Sequence, residues 1–181
     1  MDADTVGPPD VPSFIRESST LFDTLLGDLK LLSDIKVSPE NKGSIDRANI
    51  RTIFAVFEAL SHFLRAQALV LHKLGHSGLT PSQVKDLDPD LRLTMRENLK
   101  ISLGAIAALR NPKMLPIDFN KSQGWSHLLA IEAARDRITH PKNVDQLKIT
   151  DSEVKSFNQA IRWYFRQMVQ CLGLDMPPHL L

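Results

Sequence analysis

The residues best suited to chemistry stand in one stretch, Arg135-Asp136-Arg137-Ile138-Thr139-His140-Pro141-Lys142. A guanidinium beside an imidazole at a helix end makes a phosphate site, because the first offers a fixed fork of donors and the second exchanges protons near neutrality. The apolar periodicity predicts a helix from Trp125 to Ile138 that delivers these groups. Pro141 disfavours the α conformation at His140, so the helix should end at or just before the histidine. Residues five apart on a continuous helix point roughly 140° away from each other. His140 and Arg135 can therefore face one pocket only if the last turn unwinds.

The other candidates carry weaker chemistry. Arg65 and His72 repeat the arginine–histidine pattern inside an uninterrupted helix, where they read as surface or interface groups. Arg162 and Arg166 lie one turn apart on the last helix and read either as a solvated face or as a phosphate-binding flank for Arg135. Trp125, Trp163 and Tyr164 have the types that stack on bases, but their helical spacing suits core or interface. His72 and His76 have a metal-binding spacing that Gly75 interrupts, with no carboxylate nearby in sequence to complete a set. Asp86, Asp88 and Asp90 read as helix caps rather than half a calcium loop, since the downstream glycine and glutamate are missing. There is no glycine-rich phosphate loop, zinc-spaced Cys/His set or nucleophile elbow.

The elements that must position Arg135 and His140 are all helical. Residues 1–10 read as a flexible leader, residues 11–174 as one helical domain and residues 175–181 as a tail. Helix one is expected from Pro12 to Ile35, with Phe14, Leu21, Phe22, Leu25, Leu26, Leu29 and Leu32 inward. A long second helix follows from Ile45 to Leu74, with Ser44 as its N-cap and Gly75 at its stop. Its apolar arc (Ile50, Ile53, Phe54, Phe57, Leu60, Phe63, Leu64) is wide enough to be packed by several neighbours or by another subunit. Thr80-Pro81-Ser82-Gln83 is a capping box opening a short turn of helix. Another helix is expected from Pro89 to Arg110, capped by Asp88, with Leu91, Met95, Leu99, Leu103, Ile106 and Leu109 inward. Thr150-Asp151-Ser152-Glu153 starts a final helix to Leu172. Its expected inward face is Val154, Phe157, Ile161, Phe165, Met168 and Leu172, and Gly173 stands behind it. No segment alternates as a strand does. The expected fold is an all-α bundle of four long helices with an N-terminal helix and a short turn helix.

Bulk properties narrow the function. The chain has 181 residues, 43% apolar and 24% charged, with a formal charge of +1, values of an ordinary globular domain rather than a protein coated in positive charge. Charge is uneven: the first quarter is acidic and the last third basic. The lone Cys171 reads as a buried small hydrophobe, and with no disulfide framework a reducing compartment is the default. The acidic start, Met1-Asp2-Ala3-Asp4, is no signal peptide. No run approaches the roughly 20 apolar residues of a membrane span. The expected location is the cytoplasm, with no membrane partner.

Ile131-Glu132-Ala133-Ala134-Arg135-Asp136-Arg137-Ile138-Thr139-His140-Pro141 resembles the signature of HEPN domains: arginine, a polar residue, a few residues, then histidine. The helix order is similar over roughly residues 12 to 173, and the motif stands before the last helix, as in many members. Aspartate replaces the commoner asparagine after the arginine. The resemblance implies a metal-independent ribonuclease of a toxin–antitoxin or other defence system. It implies a homodimer in which two motifs share one cleft, an RNA substrate, no cofactor, and an antitoxin or other protein partner. His140 then serves as general base or acid, Arg135 stabilises phosphoryl charge, and Asp136 orients its neighbours. Arg137, Lys142, Arg162 and Arg166 contact RNA, and Glu132 steers Arg135 or forms an ordinary helix salt bridge. Many members are instead non-catalytic modules that bind a protein or nucleotide partner, and a plain helical scaffold is a third reading.

Overall fold

A computed structural model describes residues 11–174; the leader at 1–10 and the tail at 175–181 lie outside the described residues. The elements are α1 (Val11–Asp34), α2 (Lys42–Lys73), α3 (Pro81–Asp86), α4 (Met95–Arg110), α5 (Gln123–Thr139), a 3-10 turn (Val144–Leu147) and α6 (Asp151–Cys171). Among the described residues there is no strand, and the all-α class stands.

Local chemistry sets most helix boundaries. The Thr80 hydroxyl accepts the Gln83 N–H while the Gln83 side chain accepts the Thr80 N–H, and Thr150 with Glu153 does the same. The fourth helix starts later than Asp88-Pro89 suggests. The Asp88 carboxylate accepts the Asp90 N–H in a local turn, and a third capping box, Thr94 with Glu97, opens α4 at Met95. Leu91, expected inward, is consequently outside the helix and exposed. Helix α2 starts earlier than Ser44. Asn41 accepts the Ser38 N–H, and the Ser38 carbonyl takes the Asn41 and Lys42 amides, so the helix is nucleated by this turn and Ser44 falls within it. At the other end Gly75 adopts φ +90°, and the His76 amide reaches back to the Leu71 carbonyl. This six-residue closure favours glycine.

Helix α2 is the axis of the molecule. At 32 residues it spans on the order of 48 Å. It packs against α1 and α4 along its length and meets α5 and α6, which pair with each other. Ile50, Ile53, Phe54, Phe57, Leu60 and Leu64 are buried as expected, and Leu99, Leu103 and Ile106 of α4 face them. On α6 the expected apolar face is packed but only partly buried, and the deepest positions are Ala160, Tyr164 and Cys171 beside it. On α1, Leu25 and Leu29 pack on the core. Leu21 is exposed, and the side chains of Phe14, Phe22 and Leu26 lie outside those described.

Two further expectations change. Arg65 is enclosed at 4% exposure, sharing the buried arc of Ser61 and Ala68 on α2. Helix α2 is also long and apolar enough to cross a membrane by length and composition, with half of its most apolar stretch buried in the fold. Glu58 and Arg65 interrupt the apolar run, which is why no uninterrupted span shows in the sequence.

Candidate functional site

The C-terminal end of α5 is built as the proline demands. The His140 amide still donates to the Asp136 carbonyl at 3.0 Å, but the residue itself leaves the helix at φ −123°, ψ 56°. Unwinding therefore begins at His140 and not before. The last turn is held: Thr139 Oγ1 donates to the Arg135 carbonyl at 2.7 Å, and Arg51 Nη2 of α2 donates to the Ile138 carbonyl at 2.6 Å. The Ile138 carbonyl, which the helix end leaves without an intrahelical partner, is thereby bonded across to the neighbouring helix.

Arg135 is half-buried against the same face of α2. Its guanidinium lies 5.7 Å from the Phe54 ring centroid, with Nη2 3.4 Å from Glu58 Oε1 and Nη1 3.3 Å from Asp136 Oδ1. Arg51, Phe54 and Glu58 are three and four residues apart, the spacing of one helix face. Two carboxylates share this one guanidinium, so local charge is near balance and the surplus cations are Arg51 and Lys142. The His140 ring is exposed and hydrogen-bonds to no described residue, and no bond joins it to Arg135 or Asp136. The Lys142 side chain is exposed, while its amide donates to Gln146 Oε1 at 2.7 Å.

Two neighbours have other partners. Glu132 pairs with Arg96 of α4, not with Arg135; Glu58 holds that position. Arg137 turns away from the surface and clamps the connector to α6. Its Nη1 donates to the Gln146 carbonyl and, at 2.8 Å, to the Lys148 carbonyl, and its Nη2 reaches Glu153 at 2.6 Å. Partial burial pushes the Glu153 carboxyl up, but the Thr150 amide, the Arg137 guanidinium and the Thr150 hydroxyl outweigh it and hold the group below its ordinary range. Arg47 of α2 adds a bond to the Leu147 carbonyl at 3.1 Å.

Arg162 and Arg166 stand at the opposite end of α5. With Lys155 and His127 they line a polar cleft of about 730 Å³ beside Gln123 and Gly124. Gly124 and Arg135 are separated along the helix by roughly 16 Å, so the two arginines do not flank Arg135 directly. Among the described residues no carboxylate lines the cleft. Trp163 forms one wall and sits against Gly124, whereas Trp125 and Tyr164 are buried in the core and present no stacking face. Burial pushes the Tyr164 phenol far up, with Ser61 opposing, and the Cys171 thiol up to about 11. His72 lies in α2 and His76 beyond its end.

Residues that a reading of the motif misses are Arg51 and Glu58 at the first site and Lys155 and His127 at the second. The signal for the first pair is the three-and-four spacing around Phe54, which becomes informative only once α2 is known to face α5. Comparison with protein-family models, with curated proteins and with solved structures yields no match to the chain.

Proposed function

We propose that the chain is a HEPN-like helical domain that cleaves RNA without a metal ion, acting as a homodimer in a cytoplasmic defence, stress or toxin–antitoxin setting. The observation that carries the reading is the α5 terminus. Arg135 is held by Glu58, Asp136 and Phe54, and five residues on His140 leaves the helix with a ring that bonds to no described residue. One arginine and one histidine on an open surface are half of an active site; a second copy across a two-fold axis supplies the rest. In the reaction the RNA 2′-oxygen attacks the adjacent phosphorus and the 5′-oxygen leaves, giving a 2′,3′-cyclic phosphate. His140 takes the 2′-proton or delivers one to the leaving oxygen, and the second copy does the other. Arg135 stabilises the charge that builds on the phosphoryl oxygens, and Asp136 orients it. Lys142 draws the RNA backbone to this terminus, and Arg162 and Arg166 hold it further along, at the opposite end of α5. Arg137 acts beneath them by fixing the connector.

The basic cleft favours a second reading, a non-catalytic module that binds an anionic partner, because its cations stand apart from Arg135. Incubation of the protein with mixed RNA in EDTA, beside His140→Ala and Arg135→Ala, separates the two. Cleavage lost in both variants supports the ribonuclease, equal cleavage by the variants refutes it, and RNA retention without cleavage favours the binding module.

A further inference from the structure

We propose that the cavity between α1, α2 and the segment joining α3 to α4 binds a small carboxylate with a hydrocarbon chain, its head group paired with Arg65. The inference is independent of any RNA cleavage.

Arg65 is 4% exposed and makes no hydrogen bond or ion pair with any described residue. Its Nε and Nη2 are fully enclosed without a partner. A guanidinium keeps its charge across the pH range proteins survive, and a buried charge without a counter-ion is unfavourable enough that proteins almost always pair it. Nη1 is not among the enclosed, unpartnered atoms, and the cavity is the open space that Arg65 borders. An anion entering there meets a cation with no competing partner among the described residues and a planar fork that donates to two carboxylate oxygens.

The walls select the rest of the ligand. Leu21, Phe63, Ala66, Leu69, Leu87 and Pro89 line the cavity, no acidic residue does among the described residues, and its volume is about 530 Å³, within the roughly 300–1,000 Å³ of small-molecule sites. A nucleotide or sugar phosphate would set polar groups against these apolar side chains. A hydrocarbon chain gains by leaving water for them. His62 stands at the exposed mouth. Charge at one point and apolar surface everywhere else describe an amphipathic monocarboxylate.

The test is titration calorimetry of the full chain with decanoate, decanol and hexanoate. Decanoate should bind, with decanol and hexanoate each at least about tenfold weaker, a free-energy difference of about 1.4 kcal/mol. Arg65→Met keeps length and apolar bulk, and should lose decanoate binding by at least about tenfold while melting no lower than the parent. Should Arg65→Met fail to fold, Ala66→Phe fills the cavity with Arg65 in place and should abolish binding by a protein that keeps its helicity. No decanoate binding, or binding that decanol or either folded variant matches, overturns the proposal.

Discussion

Arg135 of α5 and Glu58 of α2 meet at 3.4 Å across the helix interface, so the candidate phosphate-binding arginine is positioned by a residue 77 places earlier in the chain. The contact is half-exposed and serves placement more than stability, since exposed ion pairs contribute about 0–1 kcal/mol. Glu58→Gln should leave the denaturation midpoint within about that margin. It should also lower RNA cleavage by about tenfold through a misplaced guanidinium, as read by cleavage rate beside urea unfolding.

Arg137 should behave in the opposite way to Arg162. It ties two connector carbonyls and Glu153 together, and hydrogen bonds to charged groups are worth about 1.5–3 kcal/mol. Arg137→Met should therefore destabilise the fold by about 2–3 kcal/mol, while exposed Arg162→Ala stays within about 0.5 kcal/mol. The pH dependence has a defined sign. The folded Glu153 titrates below its ordinary 4.5, so its contribution is present above that value and is lost as pH falls through the folded value. In Arg137→Met the acid limb of the stability curve should be shallower.

Gly124 of α5 lies directly against Trp163 of α6. A β-carbon there would stand 2.0 Å from Trp163 Cγ, so the indole must shift and give up its packing on Phe119 and Trp125. Overpacking of this kind costs about 1–3 kcal/mol. Gly124→Ala should lose that much and shift the tryptophan near-UV signal.

Cys171 should be inert in the native protein. Burial moves its thiol from 9.0 to about 11, and the thiolate is the reactive form. Because the folded value lies above the unfolded one, the stability it contributes is whole below pH 9.0 and lost between there and about 11. Urea midpoints of the parent should fall across that window, and Cys171→Ala should fall less. Thiol-reagent labelling at neutral pH should track global unfolding rather than begin at once.

Elements governed by neighbours in sequence were the legible ones. Thr80-x-x-Gln83 and Thr150-x-x-Glu153 mark helix starts because both partners of each cap lie within four residues. Thr94-x-x-Glu97 carries the same signal, but Asp88-Pro89 offers a competing start, and only the Asp88-to-Asp90 turn decides between them. The helix break at His140 follows from Pro141 alone. What the sequence conceals is long-range pairing. Glu132 stands one turn before Arg135 yet bonds Arg96, while Glu58, distant in sequence, takes the arginine. The burial of Arg65 is equally hidden, since an arginine inside an apolar helix arc reads as its polar edge until the neighbouring helices are placed.

The claim that two α5 termini complete one ribonuclease site is tested most directly by subunit mixing. Wild-type protein is equilibrated with about a tenfold excess of His140→Ala, and RNA cleavage is measured in EDTA. If one cleft needs His140 from both chains, nearly all wild-type chains sit in mixed dimers and activity should drop by about the dilution factor, near tenfold. Activity that simply follows the amount of wild-type protein, or no cleavage by the wild type before mixing, contradicts the account.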